Sequence, residues 1–165
     1  MAKTVYRMSP LGEEARSRLE NQGFYLPDIP NEDPSLPVDV SDLDSPTLMS
    51  MFSLFTAWCD YASAQVGLAV VMEREAERLL EHAEAESWRD MGKGASVTAS
   101  KALVVLSDDV QDARVALDEC YAYRRLVTDL SARYERDAAV LSRELTRRTS
   151  ENGPKQSRRE RWGNA

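Results

Sequence analysis

The sequence predicts an all-α protein built on a long antiparallel helical hairpin. Two observations lead to this fold class: apolar residues recur at alternating steps of three and four over two long stretches, and a short glycine-containing segment separates the stretches. We expect residues 1–45 to form a short helix and an extended proline-rich arm. Residues 46–149 form the hairpin and the oligomerisation domain, and residues 150–165 form a basic flexible tail.

The first helix of the hairpin is predicted from Pro46 to Met91. Ser45 is expected to cap it, because serine is a preferred cap and proline is tolerated at the first helical position. At 1.5 Å per residue this helix is about 65–70 Å long, which excludes a compact single-core globule. Its apolar seam is interrupted once, at Glu73, and consists of Phe52, Phe55, Cys59, Ala62, Val66, Ala69, Glu73, Ala76, Leu80 and Ala83.

The second helix is predicted from about Thr98 to Thr149, after a turn at residues 92–96. Ser107 and the two aspartates after it can cap a separate helix, which allows a kink there. Arg124 or Tyr123 must fill a gap in its seam, which otherwise consists of Val110, Ala113, Leu117, Cys120, Val127, Leu130, Tyr134, Ala138, Leu141 and Leu145. A short turn implies antiparallel packing, with residues 46–72 against 118–145 and residues 73–90 against 98–115.

Two different patterns precede the hairpin. Residues Leu11 to Gln22 form a short helix that Gly23 ends. From Gly23 to Ser45 the chain contains a proline every three to four residues, at positions 27, 30, 34 and 37. Prolines fix φ and keep the residue before them out of the helical region, so this stretch is interpreted as an extended arm that docks through its apolar side chains. The other interpretation is a disordered linker.

Residues 46–72 are apolar nearly all round, which is typical of a helix buried on more than one side. Large exposed apolar patches are uncommon on monomers, so we expect a second copy of the chain to cover what the arm leaves open. The sequence therefore predicts a homo-oligomer, a ring or a bundle. Its predicted interface residues are Met51, Phe52, Leu54, Phe55, Trp58, Tyr61, Val66 and Val70.

The same stretch contains too many polar groups for a membrane-spanning helix, so no membrane partner is expected. The two cysteines, Cys59 and Cys120, fall on apolar helix positions and form neither a disulfide framework nor a zinc pattern. The N-terminus lacks the basic-then-apolar layout of a signal peptide. These features predict a soluble protein of the cytoplasm.

No residue pattern indicates catalysis. The segment Gly92–Ser96 resembles a phosphate-binding loop only in part, because it lacks the preceding strand and the full glycine spacing. His82, the single histidine, has Glu86 four residues on, which is too few ligands for a metal site. The carboxylates lie on charged helix faces where water reaches them. We expect no catalytic residue, no metal, no cofactor and no enzymatic activity.

The charge distribution supplies the main functional indication. The net charge is −7, yet residues 146–165 carry six basic and two acidic groups, and such asymmetry is typical of an interaction tail. Guanidinium groups bind phosphates and an indole stacks on exposed bases, as single-stranded nucleic acid requires. The alternative is a frayed terminus without a ligand. The candidate nucleic-acid-binding residues are Arg124, Arg125, Arg133, Arg136, Arg143, Arg147, Arg148, Lys155, Arg158, Arg159, Arg161 and Trp162.

The order of these segments resembles the UvsY-like phage recombination mediators over residues 46–148. The likeness rests on the segment Leu26–Pro30, on residues 48–61 and on residues 140–148, together with the helix–turn–helix order. It implies a ring-forming oligomer in the host cytoplasm that binds single-stranded DNA and helps a recombinase displace a single-strand-binding protein.

One departure from the family shifts the expected DNA surface. Family members are lysine-rich along the first helix, whereas residues 46–92 of this chain hold only Arg74, Arg78 and Arg89 as basic groups. The second helix and the tail are therefore the expected DNA surface. The competing hypothesis is a structural or adaptor protein, in a phage assembly or scaffold role, that oligomerises without nucleic acid. A third, a catalytic protein, requires a composite site between subunits.

Overall fold

The computed structural model describes residues 10–90 and 97–152, and these residues form four α-helices and no strand. They are α1 (Pro10–Asn21), α2 (Ser45–Asp90), α3 (Val97–Leu106) and α4 (Asp108–Asn152), with a single 3₁₀ turn at Val40–Asp42. The all-α class and the hairpin of two long helices, α2 and α4, are confirmed. The predicted turn at residues 92–96 lies outside the described residues.

Helix α1 ends as predicted, at a glycine. Gly23 adopts a positive φ of 84°, a conformation that glycine reaches without a Cβ penalty. The Gly23 N–H donates to the Glu20 carbonyl at 3.0 Å, and the Phe24 N–H donates to the Leu19 carbonyl at 3.0 Å. This pair of bonds is the Schellman motif, which satisfies carbonyls that the end of a helix leaves without partners.

Helix α2 begins one residue earlier than predicted. The Asp44 carboxylate accepts a hydrogen bond from the Thr47 N–H at 2.8 Å, and the Asp44 carbonyl accepts from the Leu48 N–H at 2.9 Å. These two bonds make Asp44 the cap and place Pro46 second in the helix. The prediction of Ser45 as the cap is therefore wrong, because its acidic neighbour supplies the stronger acceptor.

The second half of the hairpin is interrupted at Ser107, between α3 and α4. The sequence had indicated that a kink could occur there. The Ser107 N–H donates to the Val104 carbonyl at 3.1 Å, which tightens the end of α3, and the Ser107 carbonyl accepts from the Gln111 N–H at 3.0 Å. The Gln111 side chain also donates to the Val105 carbonyl at the end of α3. The two aspartates that follow Ser107 lie in the first turn of α4, where negative charge is favourable.

The described residues form two compact units, and each contains part of α2 and part of α4. Unit 1 comprises residues 10–28 and 60–131, and unit 2 comprises residues 29–59 and 132–152. In unit 1 the antiparallel pairing is visible in the contacts of Gln65 with Tyr123 and of Glu84 with Arg114.

Unit 2 has an apolar core made by both helices and by the arm. Leu48 and Phe55 of α2 and Leu141 of α4 are almost fully buried. The Phe55 ring meets the Tyr134 ring edge-on at 6.5 Å between centroids. Leu36, Val40 and Leu43 of the arm pack against this core, so residues 29–44 are a docked arm rather than a linker.

Unit 1 contains the polar interruption of the seam. Glu73, the single charged residue in the predicted seam of α2, forms an ion pair with Arg124 of α4, and the Arg124 Nη2 donates to the Glu73 Oε1 at 3.3 Å. The two side chains are 16% and 33% exposed. The sequence placed Glu73 opposite residues 98–115, and this detail of the pairing is wrong by about two and a half helical turns.

The seam of α2 is confirmed, because every predicted position is buried or half-buried and Leu48 extends the series towards the N-terminus. In α4 the prediction fails at Leu130, which is 44% exposed, while its neighbour Ser131 is buried. Arg124, Val127, Ser131 and Tyr134 keep the alternating steps of four and three that a coiled-coil seam needs. Leu130 lies off that path.

Helix α2 is also the one described helix that is long and apolar enough to cross a membrane. Its best 18-residue window has a mean hydropathy of 1.2, and 17% of that window is buried. A single helix of this kind is weak evidence for a membrane span, since the core helix of a soluble protein passes the same test.

Two leucine truncations distinguish the observed seam from the predicted one. Leu141→Ala is expected to lower the free energy of unfolding by about 2–5 kcal/mol, because it leaves a cavity in the unit 2 core. Leu130→Ala removes the same atoms from an exposed position and is expected to cost less than about 1 kcal/mol. Urea unfolding followed by circular dichroism measures both. Equal losses would contradict the seam through Ser131.

Candidate nucleic-acid interface

Helix α4 carries all the described candidate arginines. The position of each arginine around the helix decides whether it faces solvent. Arg136 and Arg143 are one heptad apart and both are exposed. Among residues 10–90 and 97–152, neither forms an ion pair. They are the arginines of α4 most available to a phosphate.

Arg124 belongs to the interior of the hairpin. Its guanidinium pairs with Glu73 across the seam and lies 5.4 Å from the centroid of the Tyr121 ring. A guanidinium in this place satisfies a carboxylate that would otherwise be poorly solvated. This ion pair links α4 to α2, so the Arg124 side chain serves the contact between the helices.

Arg125 and Arg133 are exposed, but each forms one long ion pair. Each has an acidic neighbour four residues on, Asp129 at 3.5 Å and Asp137 at 3.7 Å, and the two arginine side chains are about two-thirds exposed. Exposed pairs of this length contribute about 0–1 kcal/mol and exchange partners easily. Both arginines can therefore turn to a stronger anion.

Glu144 forms ion pairs with two arginines near the end of α4. It is buried, at 8% exposure, and accepts from Arg147 at 2.7 and 2.8 Å and from Arg148 at 2.7 Å. These hydrogen bonds, from Arg147 first and then from Arg148, lower the pKa of Glu144 from 4.5 to about 2. The bonds to Glu144 and Glu151 raise the pKa of Arg147 above its ordinary value.

Arg148 connects α4 to the arm. Its Nη2 donates to the Ser41 carbonyl at 3.0 Å and to the Val40 carbonyl at 3.4 Å, and its Nη1 donates to the Ser45 Oγ at 3.4 Å. The side chain is only 17% exposed. Arg148 is therefore a contact within the protein as long as the arm is docked.

The remaining candidates lie outside the described residues. They are Lys155, Arg158, Arg159, Arg161 and Trp162. The structure thus brings Arg147 and Arg148 together at Glu144, leaves Arg143 exposed, and places Arg124 in the seam.

At least half of the eight residues predicted to form an oligomer interface have contacts inside the chain. Phe55 is 1% exposed, and Met51 and Phe52 pack against the core of unit 2. The Trp58 indole donates to the Glu32 carbonyl at 2.8 Å and lies 5.5 Å from the Tyr134 ring. The others keep more surface: Leu54, Tyr61 and Val66 are half-buried and Val70 is 49% exposed.

Sequence reasoning missed two features of this region. The first is Glu144, although its spacing of three and four residues from Arg147 and Arg148 is the known signal for ion pairs on a helix. The second is the exposed apolar surface of α4 in unit 1, where Val115, Leu126 and Leu130 are 57%, 64% and 44% exposed. The seam prediction had placed Leu130 in the interior.

Unit 1 contains an open cavity that is lined mainly by polar residues. This cavity has a volume of about 460 Å³, lies near the end of α2 and is lined by Ala83, Glu86, Ser87, Arg89, Asp90, Ser107 and Asp109. His82 forms an exposed pair with Glu86 at 3.3 Å. Within the described ranges, no group of three His, Cys, Asp or Glu side chains could hold a metal ion.

Cys59 and Cys120 are half-buried and form no disulfide bond. Burial raises the pKa of the Cys120 thiol, and the nearby carboxylates of Glu119, Glu73 and Glu75 raise it further. A thiol held in its neutral form is a poor nucleophile. Cys120 therefore acts as a small apolar side chain in the seam.

The fold and the arginine cluster define a class, that of all-α helical-hairpin proteins with a basic helix end. We found no protein-family model, curated protein or solved structure that matches the chain. The functional conclusion therefore depends on the geometry and on the layout of the sequence.

The Glu144 cluster predicts a stability change at acidic pH. Because folding lowers the pKa of Glu144 from 4.5 to about 2, its stabilising contribution is complete above about pH 4.5 and is lost as the pH falls towards 2. Glu144→Gln lacks this contribution, so the stabilities of the wild type and the variant should converge over that pH range. Urea unfolding at a series of pH values measures the difference.

A double variant provides the control for this measurement. Arg147→Gln with Arg148→Gln removes the donors that lower the pKa of Glu144, so it should lose the same pH-dependent contribution. A gap between wild type and Glu144→Gln that stays constant from about pH 6 to about pH 3 would contradict the assigned network.

Proposed function

We propose that the protein is an accessory factor of recombination of the phage mediator type, which oligomerises and binds single-stranded DNA without catalysing a reaction. The observation that carries this proposal is the pair Arg136 and Arg143 on the exposed face of α4, one heptad apart and without ion pairs among the described residues. The basic sequence from Lys155 to Arg161 follows α4 in the chain.

The number of arginines that can serve a nucleic acid is smaller than the sequence suggested. Arg124 is held by Glu73 in the seam, and Arg148 is held by the arm and Glu144. Arg125 and Arg133 have only long, exposed pairs. Guanidinium binds phosphate through charge-assisted and frequently bidentate bonds, whereas long exposed ion pairs contribute little, so a phosphate can replace these carboxylates. Arg125 belongs to unit 1. The binding surface we propose on the unit 2 part of α4 therefore consists of Arg133, Arg136 and Arg143, together with the tail.

The net charge of −7 restricts where a polyanion can bind. Long-range attraction is weak for an acidic protein, so the contact must be local to the end of α4 and the tail. Several copies in one oligomer would add their contacts through effective concentration and so compensate for a small site. The recombinase and single-strand-binding protein enter this proposal through the resemblance to the mediators.

Neutralising the exposed pair tests the binding surface. Arg136→Gln with Arg143→Gln is expected to weaken binding of a fluorescent oligothymidylate. It should also reduce the slope of log affinity against log salt by about 1.4, since each phosphate contact on a single strand contributes about 0.7. Fluorescence anisotropy across a salt titration measures both effects.

The matched control is Arg74→Gln with Arg78→Gln, two exposed arginines on α2 whose loss changes the net charge equally. This control should leave the affinity and the salt slope near those of the wild type. Equal weakening by both pairs would show a general charge effect and would contradict a surface on α4. A chain that ends at Ser150 separates the contribution of the tail.

The alternative function is a structural or adaptor protein that oligomerises without nucleic acid. The exposed apolar side chains of Val115, Leu126 and Leu130 on α4 favour it, because such side chains are typical of protein contacts. An oligomer that has no affinity for single strands, even at low salt, is the result that selects this alternative.

A further inference from the structure

The arm is acidic, and it docks on the basic end of the hairpin. Within unit 2, residues 29–44 contain no lysine or arginine, and we call this segment the acidic arm. Its acidic residues are Glu32, Asp33, Asp39, Asp42 and Asp44. A segment of this charge in contact with Arg148 reduces the local positive potential that attracts a phosphate chain.

Two kinds of contact hold the acidic arm in place. Leu36, Val40 and Leu43 pack against the apolar core of unit 2, and the Trp58 indole donates to the Glu32 carbonyl at 2.8 Å. These contacts are independent of any nucleic acid. They keep the arm docked when the protein is alone.

The third contact directly competes with nucleic acid. Arg148 donates to the carbonyls of Ser41 and Val40 and has one carboxylate partner, Glu144. Carbonyl oxygens are neutral acceptors, whereas phosphate oxygens are charged and can accept two parallel hydrogen bonds from one guanidinium. A phosphate that reaches this end of α4 can therefore take Arg148 from the arm.

The carboxylate of Asp44 lies within the field of the same guanidinium. Its pKa is lowered, first by the hydrogen bonds from Thr47 and further by the positive charge of Arg148. Asp44 also caps α2. The acidic arm thus places negative charge beside Arg148 at the point where the arm joins α2.

We propose that the acidic arm is an autoinhibitory segment: docked on α4 it occupies Arg148 and screens the neighbouring arginines, and a bound single strand displaces its contacts with Arg148. This inference rests on the proposed function, because it requires that the end of α4 binds single strands. The docked arm lowers the apparent affinity for a single strand, because only the fraction of molecules in which Arg148 is released from the arm is fully competent to bind. Binding in turn loosens the arm, since the two events are reciprocally coupled.

The first test removes the charge of the arm while keeping its fold. Asp39→Asn, Asp42→Asn and Asp44→Asn are combined, because asparagine accepts the same N–H bonds at the turn and at the cap. We expect the full chain carrying these changes to bind oligothymidylate on the order of tenfold more tightly at low salt. The gain should shrink above about 0.15 M salt, where the screening length is about 8 Å.

The control is a second triple variant with the same change in net charge. Asp112→Asn, Asp118→Asn and Glu119→Gln neutralise exposed carboxylates on the part of α4 that belongs to unit 1. This variant should bind clearly less tightly than the arm variant. If the arm triple variant loses its helical circular dichroism, the single Asp42→Asn variant repeats the comparison with a smaller expected gain.

The second test follows the arm itself. Hydrogen exchange of the full wild-type chain, read by mass spectrometry, should become faster in peptides from residues 36–44 when oligothymidylate is added. Peptides from residues 62–76 provide the internal reference and should not change. Unchanged exchange in the arm, together with equal affinities of the two triple variants, would overturn autoinhibition while oligothymidylate binding by the wild type kept the proposed function. No binding by any chain at low salt would instead overturn the proposed function and the inference with it.

Discussion

Helices α2 and α4, of 46 and 45 residues, each carry an apolar seam that a single helix leaves exposed to water. Packing the two seams against each other buries both, and the contacts described above depend on this pairing. In unit 2 it places Leu48, Phe55 and Leu141 in one core. In unit 1 it places the single charged residue of the α2 seam, Glu73, against Arg124. An ion pair inside a seam is a known device for specifying one register among several, often at some cost in stability.

Sequence periodicity predicted α2 better than α4 for a physical reason. In α2 the seam keeps its alternating steps of three and four without a break from Phe52 to Ala83, so one path fits. In α4 the stretch from Leu126 to Leu130 offers apolar residues on more than one face, and Ser131 occupies the position that a leucine was expected to hold. The cap of α2 posed a similar ambiguity, because Asp44 and Ser45 are both good caps and only the hydrogen bonds distinguish them.

The candidate site was predictable as a set of arginines but not in its distribution. Charge alone cannot show that Arg124 pairs with a residue 51 positions earlier, or that Arg148 contacts a carbonyl 107 positions earlier. Those contacts arise only when the helices and the arm are packed. Packing thus divides the arginines into those that hold the protein together and those that remain on the surface. The acidic arm is bound by Arg148, a structural arginine that lies on the same helix as the exposed ones.

The most direct test of the account is a charge reversal across the seam. Glu73→Arg and Arg124→Glu alone should each lower the free energy of unfolding by about 3–5 kcal/mol, because each leaves two like charges facing each other between the helices. The doubly reversed chain restores opposite charges and should recover more than half of the summed loss in urea unfolding. A double variant as unstable as the sum of the two single variants would show that Glu73 and Arg124 do not meet, and would contradict the register on which the fold depends.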